Sequence, residues 1–89
     1  MYLLNVIPTS DYLLILHYSN YEVRVYDVKP LLNKGVFKKL KNIKSFYTVR
    51  INGDSVEWPN MLNNSMEIDI APESLFGDSV LLENMFKTL

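Results

Sequence analysis

His17 is the only histidine in a chain that contains no cysteine, and those two facts bound its chemistry. Without a thiol there is no cysteine nucleophile, no disulfide and no thiolate ligand for zinc. One imidazole can act as a general base or bind a metal, but both roles need partners. Ser10 and Asp11 could be drawn into a Ser-His-Asp set with His17. Residues this close along a turn and strand would not align nucleophile with base, and no nucleophile elbow accompanies them. The ten carboxylates are scattered, whereas a glycosidase pair or a magnesium site needs two or more in one cleft. Asp27 and Asp69 each close an expected strand and so could meet. Each also precedes a helical turn, where Asp is a preferred cap. The residues therefore point to no catalytic group, no metal site and no cofactor, and to a protein that is not an enzyme.

Two other features could bind something. Five of the nine basic residues, Lys34, Lys38, Lys39, Lys41 and Lys44, fall within eleven positions. Such a patch can dock on phosphates or on an acidic partner, or it can be the solvated face of a helix. No Gly-rich cradle accompanies it, and only Phe37 and Phe46 interleave as stacking aromatics. Trp58-Pro59-Asn60 is the second feature. A Trp at a strand end is either core, with its N–H bonded to backbone, or an interface anchor. Leu82, Met85, Phe86 and Leu89 add an apolar stripe that either folds back or reaches a second copy. The candidate partner-binding residues are thus Trp58, Asn60, Leu82, Met85 and Phe86.

The elements that must position these residues follow from local patterning. Tyr2 to Ile7 and Tyr12 to Tyr18 are apolar, aromatic and branched, which suits strands, and Pro8 to Asp11 is turn chemistry. Glu22 to Asp27 alternates, with Val23 and Val25 on one face and Arg24 and Tyr26 on the other. Ser19-Asn20-Tyr21 joins it to the preceding strand as a tight turn in which Tyr21 is awkward, because such turns favour Gly. Lys29 to Asn33 reads as a short helical turn. Val36 to Lys41 reads as the main helix, with Lys38, Lys39 and Lys41 outward. Phe46 to Ile51 and Ser55 to Trp58 form a second hairpin around Asn52-Gly53. Met61 to Ser65 is turn-like, and Met66 to Ile70 alternates as a last strand. Pro72 to Phe76 makes a turn ended by Gly77, and Asp78 caps a helix from Ser79 to Leu89. The expected fold is α+β. One antiparallel sheet of five to six strands, including two hairpins, carries one main helix and a short C-terminal helix (79–89).

The 89 residues make one domain, 1–89, and 48% apolar content rules out disorder. A chain this small, with no disulfide, finishes near zero in its balance of burial against ordering entropy, so self-association or partner binding is expected. Its formal charge of −1 lacks the basic excess of a general nucleic-acid binder. The N-terminus has no basic n-region, and the longest apolar run falls far short of a membrane span. The expected location is cytoplasmic.

Val6-Ile7-Pro8 followed by Asp11 to Leu14, Glu22 to Leu32, Gly35-Val36-Phe37, Val56 to Asn60, and Asp69 to Phe76 form a recognisable ordered set. Together these stretches resemble the bacterial domain of unknown function family 2442. They occur in the family's order and span about residues 6–76. The resemblance implies a small α+β domain with no established activity. Family members are often encoded beside another small protein in what looks like a toxin–antitoxin arrangement, and some carry an appended helix-turn-helix. Only 13 residues follow Phe76, too few for that motif, and Met61 to Met66 is longer than the usual connection. The function expected is a non-catalytic protein-interaction module, antitoxin-like, whose partner is itself or a co-encoded small protein. The alternative is a nucleic-acid-binding regulator using the lysines of 34–44.

Overall fold

A computed structural model describes residues 1–59 and 68–86. The chain opens with a meander of three strands, β1 (Leu3–Pro8), β2 (Leu13–Tyr18) and β3 (Val23–Asp27). Two 3₁₀ segments follow, Lys29–Leu31 and Gly35–Lys41, then α1 (Ile43–Phe46). Next come β4 (Arg50–Asn52), β5 (Ser55–Trp58), β6 (Ile68–Asp69), α2 (Pro72–Gly77) and β7 (Val80–Leu81), before a 3₁₀ segment Leu82–Phe86. The fold is α+β. The strands form two antiparallel sheets, ordered β1-β2-β3-β7 and β4-β5-β6, and not the single sheet of five to six strands expected. The readings at Asn60, Met61 to Ser65, Met66 and Leu89 lie outside the described residues.

Each tight turn shows its chemistry. After β1, the Thr9 hydroxyl accepts from the Leu13 N–H at 3.2 Å. Between β2 and β3, Asn20 Oδ1 accepts from Glu22 N–H at 3.1 Å, and Tyr21 takes a φ of 69°. Between β4 and β5, Asn52 pairs with Ser55. Gly53, with a φ of 62°, is then the first central residue of the turn, where a turn centred on Asn52-Gly53 would make it the second.

One apolar core is shared by both sheets. Leu14, Leu16 and Tyr18 from β2 and Tyr26 from β3 meet Phe46, Val56, Trp58, Ile68 and Leu75. Trp58 is fully buried, its ring stacked on Phe46 at 6.0 Å and edge-on to Phe37 at 6.5 Å. Its Nε1–H donates to the Phe46 carbonyl at 2.8 Å. Of the two readings of Trp58, the structure takes the core one, and the side chain has no surface left to offer a partner.

Four expectations change. Val36 to Lys41 is a 3₁₀ run. It is confined between Gly35, with a φ of 50°, and Asn42, in extended backbone, which leaves too few residues to propagate an α-helix. Phe46 to Thr48 is not strand. Asn42 Oδ1 accepts the Lys44 N–H at 3.0 Å and starts α1, whose last residue, Phe46, turns into the core. The C-terminal helix does not begin at Ser79. Val80 and Leu81 pair instead with Val25 and Arg24 of β3, because a waiting strand edge satisfies their backbone groups. Asp69 does not cap α2, which has Ala71 at its N-cap and no side-chain bond there. Asp27 does hold the turn that follows it, accepting from Lys29 N–H at 2.9 Å.

Candidate interaction surface

Register decides what the four-stranded sheet shows to the outside. Ile7 pairs with Ile15, Ile15 with Val25 and Val25 with Val80. Directly paired residues share a face, so these four form an unbroken row across all four strands. On β2 this row alternates with Leu14 and Leu16, which are in the core. The row therefore lies on the face turned away from it. Val25 is only 5% exposed yet stands outside the core cluster, while Ile7 and Val80 at the row's ends are 42% and 48% exposed. The alternation expected for β3 is present, but the core takes Tyr26 and leaves Val23 and Val25 outside. Leu13 pairs with Asp27 on one side of the row, and His17 pairs with Asn5 and Val23 on the other.

His17 is thus a half-buried residue on an open sheet face. Asp27 sits on the same face but four residues along, about 13 Å at ~3.3 Å per residue. It is engaged by the Lys29 ammonium at 3.0 Å. Asp69 is in the other sheet. The structure brings none of the three together, and among the described residues no three His, Asp or Glu side chains are placed to hold a metal.

Arg24 is the polar centre of the opposite face, a role its place in an alternating strand did not reveal. Its Nε donates to Ser79 Oγ at 2.6 Å and one terminal nitrogen to the Ser79 carbonyl at 3.0 Å. The other pairs with Glu22 at 2.9 Å, and the guanidinium lies 4.3 Å from the Phe76 ring centre. This clasp fixes the chain between α2 and β7, and so places Val80 at the end of the outer row. Tyr18 packs edge-on against Phe76 at 5.3 Å. Burial pushes its phenol pKa up, with Arg24 pulling the other way and Asp54 adding to the rise. Burial also raises Tyr26, helped by Asp78 and Asp27.

The remaining candidates are spread out. Leu82 lines a cleft of about 480 Å³ beside Tyr21, Val23 and Leu81, rimmed by Glu22 and Glu83. Met85 is exposed, and Phe86 ends the same 3₁₀ segment. Lys34, Lys38, Lys41 and Lys44 are exposed along the Gly35–Lys41 segment and its flanks, and Lys39 is half-buried. Ile7, Ile15 and Val80 were missed as site residues. Only the register could have found them, and Val80 lay in an expected helix. No helix among the described residues is long and apolar enough to cross a membrane.

Two small antiparallel sheets closed around one core, with an apolar row on the outer face of the larger sheet, define a small α+β domain. Residues 3–79 match the family described as "Protein of unknown function (DUF2442)". The match encloses the 6–76 resemblance, and the chain belongs to that family. No curated protein and no solved structure gives a significant match.

Proposed function

We propose that the chain is a non-catalytic module that works by protein contact through the outer face of its four-stranded sheet. The observation that carries this reading is the row Ile7, Ile15, Val25 and Val80, apolar in register across four strands and outside the core. A core needs only one face of a sheet; a second apolar face marks a contact surface. The separation of His17, Asp27 and Asp69 supports the non-catalytic part. The family's habit of sitting beside a small co-encoded protein supports an antitoxin-like role in the cytoplasm, with that protein or a second copy as occupant.

The test places Lys at Ile7 and Ile15 together. The double variant keeps its far-ultraviolet circular dichroism and loses association, read as native mass and as co-purification of a defined partner. A folded variant that associates like the wild type overturns the reading.

A second reading has its own observation. Residues 28–53 contain seven basic side chains and no acidic one, and residues 54–86 contain seven acidic and no basic. That partition gives the lysine segment a local field which the net charge of −1 conceals. A nucleic-acid-binding regulator would show affinity that falls steeply with salt and is lost when Lys38, Lys41 and Lys44 are replaced by Glu. No salt-dependent binding to duplex or single-stranded DNA or RNA removes this alternative.

A further inference from the structure

We propose that Asn52 is a site of spontaneous covalent modification, deamidation through a cyclic imide with Gly53, and that its hydrogen bond to Glu57 restrains the reaction and makes the product disruptive. This goes beyond the sheet-face reading and does not depend on it.

Of the chain's asparagines, Asn52 alone is followed by glycine. The reaction needs the Gly53 backbone nitrogen to reach the Asn52 side-chain carbon, and glycine has no side chain to obstruct that approach. Both residues are exposed, and a Cβ placed on Gly53 would meet nothing within 4 Å, so water and base have access. Base removes the Gly53 amide proton, and the nitrogen attacks Asn52 Cγ. The N–Cγ bond forms, the Cγ–Nδ2 bond breaks, and Nδ2 takes up a proton and leaves as ammonia. Water then opens the imide ring. Addition at Cγ gives aspartate. Addition at the Asn52 backbone carbonyl gives isoaspartate, with the main chain rerouted through the former side chain. The sum is a water consumed and an ammonia released, with no change of oxidation state.

The fold opposes the first step. Asn52 is the last residue of β4 and pairs with Ser55. Its Nδ2 donates to Glu57 Oε1 at 2.6 Å, a diagonal contact across the hairpin. Glu57 is only 6% exposed, and its other oxygen accepts from Arg50 Nε at 2.6 Å. The Asn52 side chain is thus tied to β5, and turning Cγ onto the Gly53 nitrogen breaks that tie. Reaction waits on local opening of the hairpin. Afterwards the same contact works against the fold. A carboxylate has no donor for Glu57, and two carboxylates within hydrogen-bonding distance, one of them buried, repel. Isoaspartate also lengthens the main chain by a carbon at the residue that pairs with Ser55. Because ammonia departs, each such event permanently loosens the strand pair that carries Trp58.

Incubating the full chain at mildly alkaline pH, with and without unfolding urea, tests this by peptide mass mapping and ammonia release. The expected result is aspartate and isoaspartate at position 52 in both samples, formed about tenfold faster in urea. No conversion at Asn52 in the folded chain overturns the site, and equal rates overturn the restraint. Asn52→Asp reports on the product directly. It is expected to lower the folding equilibrium constant about tenfold, and much less in a Glu57→Gln background, where the Gln amide can donate to the new carboxylate. Equal losses in both backgrounds, or none, overturn the disruptive role of the contact. Should Glu57→Gln fail to fold, Asn52→Ala makes the same distinction, since it removes the donor and adds no charge. Its loss is expected to be smaller than that of Asn52→Asp, and an equal loss overturns the repulsion.

Discussion

Arg24 brings a full positive charge to a site where its side chain is only 14% exposed. Burying a charge is costly unless every donor finds an acceptor, and here Ser79, Glu22 and the Phe76 ring supply them. Removing the guanidinium would strand the Ser79 carbonyl and the Glu22 carboxylate and uncover Phe76. Arg24→Ala is expected to cost about 3 kcal/mol in urea unfolding. Arg24→Lys should recover only part of it, because an ammonium cannot reproduce the fork. Glu57 is the matching case in the smaller sheet. It is buried, and it accepts from Arg50 Nε and from Asn52 Nδ2, each at 2.6 Å. Both residues are charged members of alternating strands, a place that sequence patterning assigns to solvent. What holds them inside is a partner 55 positions away for Arg24 and a cross-strand neighbour for Glu57, and neither contact has a local signature.

At the scale of elements, turns were legible and faces were not. Pro8 to Asp11, Asn20 and Gly53 act through short-range bonds and backbone freedom, which residue type reports directly. Tyr21 was expected to sit badly and does. Its φ of 69° places a bulky side chain in the left-handed region, and at 96% exposure it has no packing to compensate. Tyr21→Asn should therefore stabilise the chain by about 1 kcal/mol, seen as a higher unfolding midpoint with an unchanged denaturant slope. A drop in stability would show that the ring makes a contact in solution. Alternation in β3 was equally clear, yet it cannot say which side meets the core. Val23 and Val25 are the more apolar set, yet it is Tyr26 that enters the core, with Arg24 on the same face, because Leu14 and Leu16 across the sheet set the direction. The apolar spacing of Leu82, Met85 and Phe86 suggested a helix, but helical spacing cannot reveal that β3 has a free edge two residues upstream.

The molecule as a whole measures 40 × 28 × 19 Å, close to two layers thick at ~10 Å per layer, and two of its core phenols bear on its expected response to alkali. Tyr18 and Tyr26 have native pKa values raised above the ordinary 10.0. The unfolded chain ionises first, so their contribution is complete below pH 10 and is lost as pH climbs through the raised native values. Stability should fall above pH 10, and Tyr18→Phe with Tyr26→Phe should flatten that fall. A slope unchanged by the double variant would place the alkaline sensitivity elsewhere.

The strand order β1-β2-β3-β7 has a consequence for how the protein is made. The first three strands are contiguous and can zip as soon as residue 27 clears the ribosome, but the edge of β3 stays bare until Val80 and Leu81 are synthesised. During that interval, a few seconds at typical elongation rates of about 5–20 residues per second, the nascent chain shows an open hydrogen-bonding edge and an apolar face together. Neighbouring chains on one message could join there, or a chaperone could shield it.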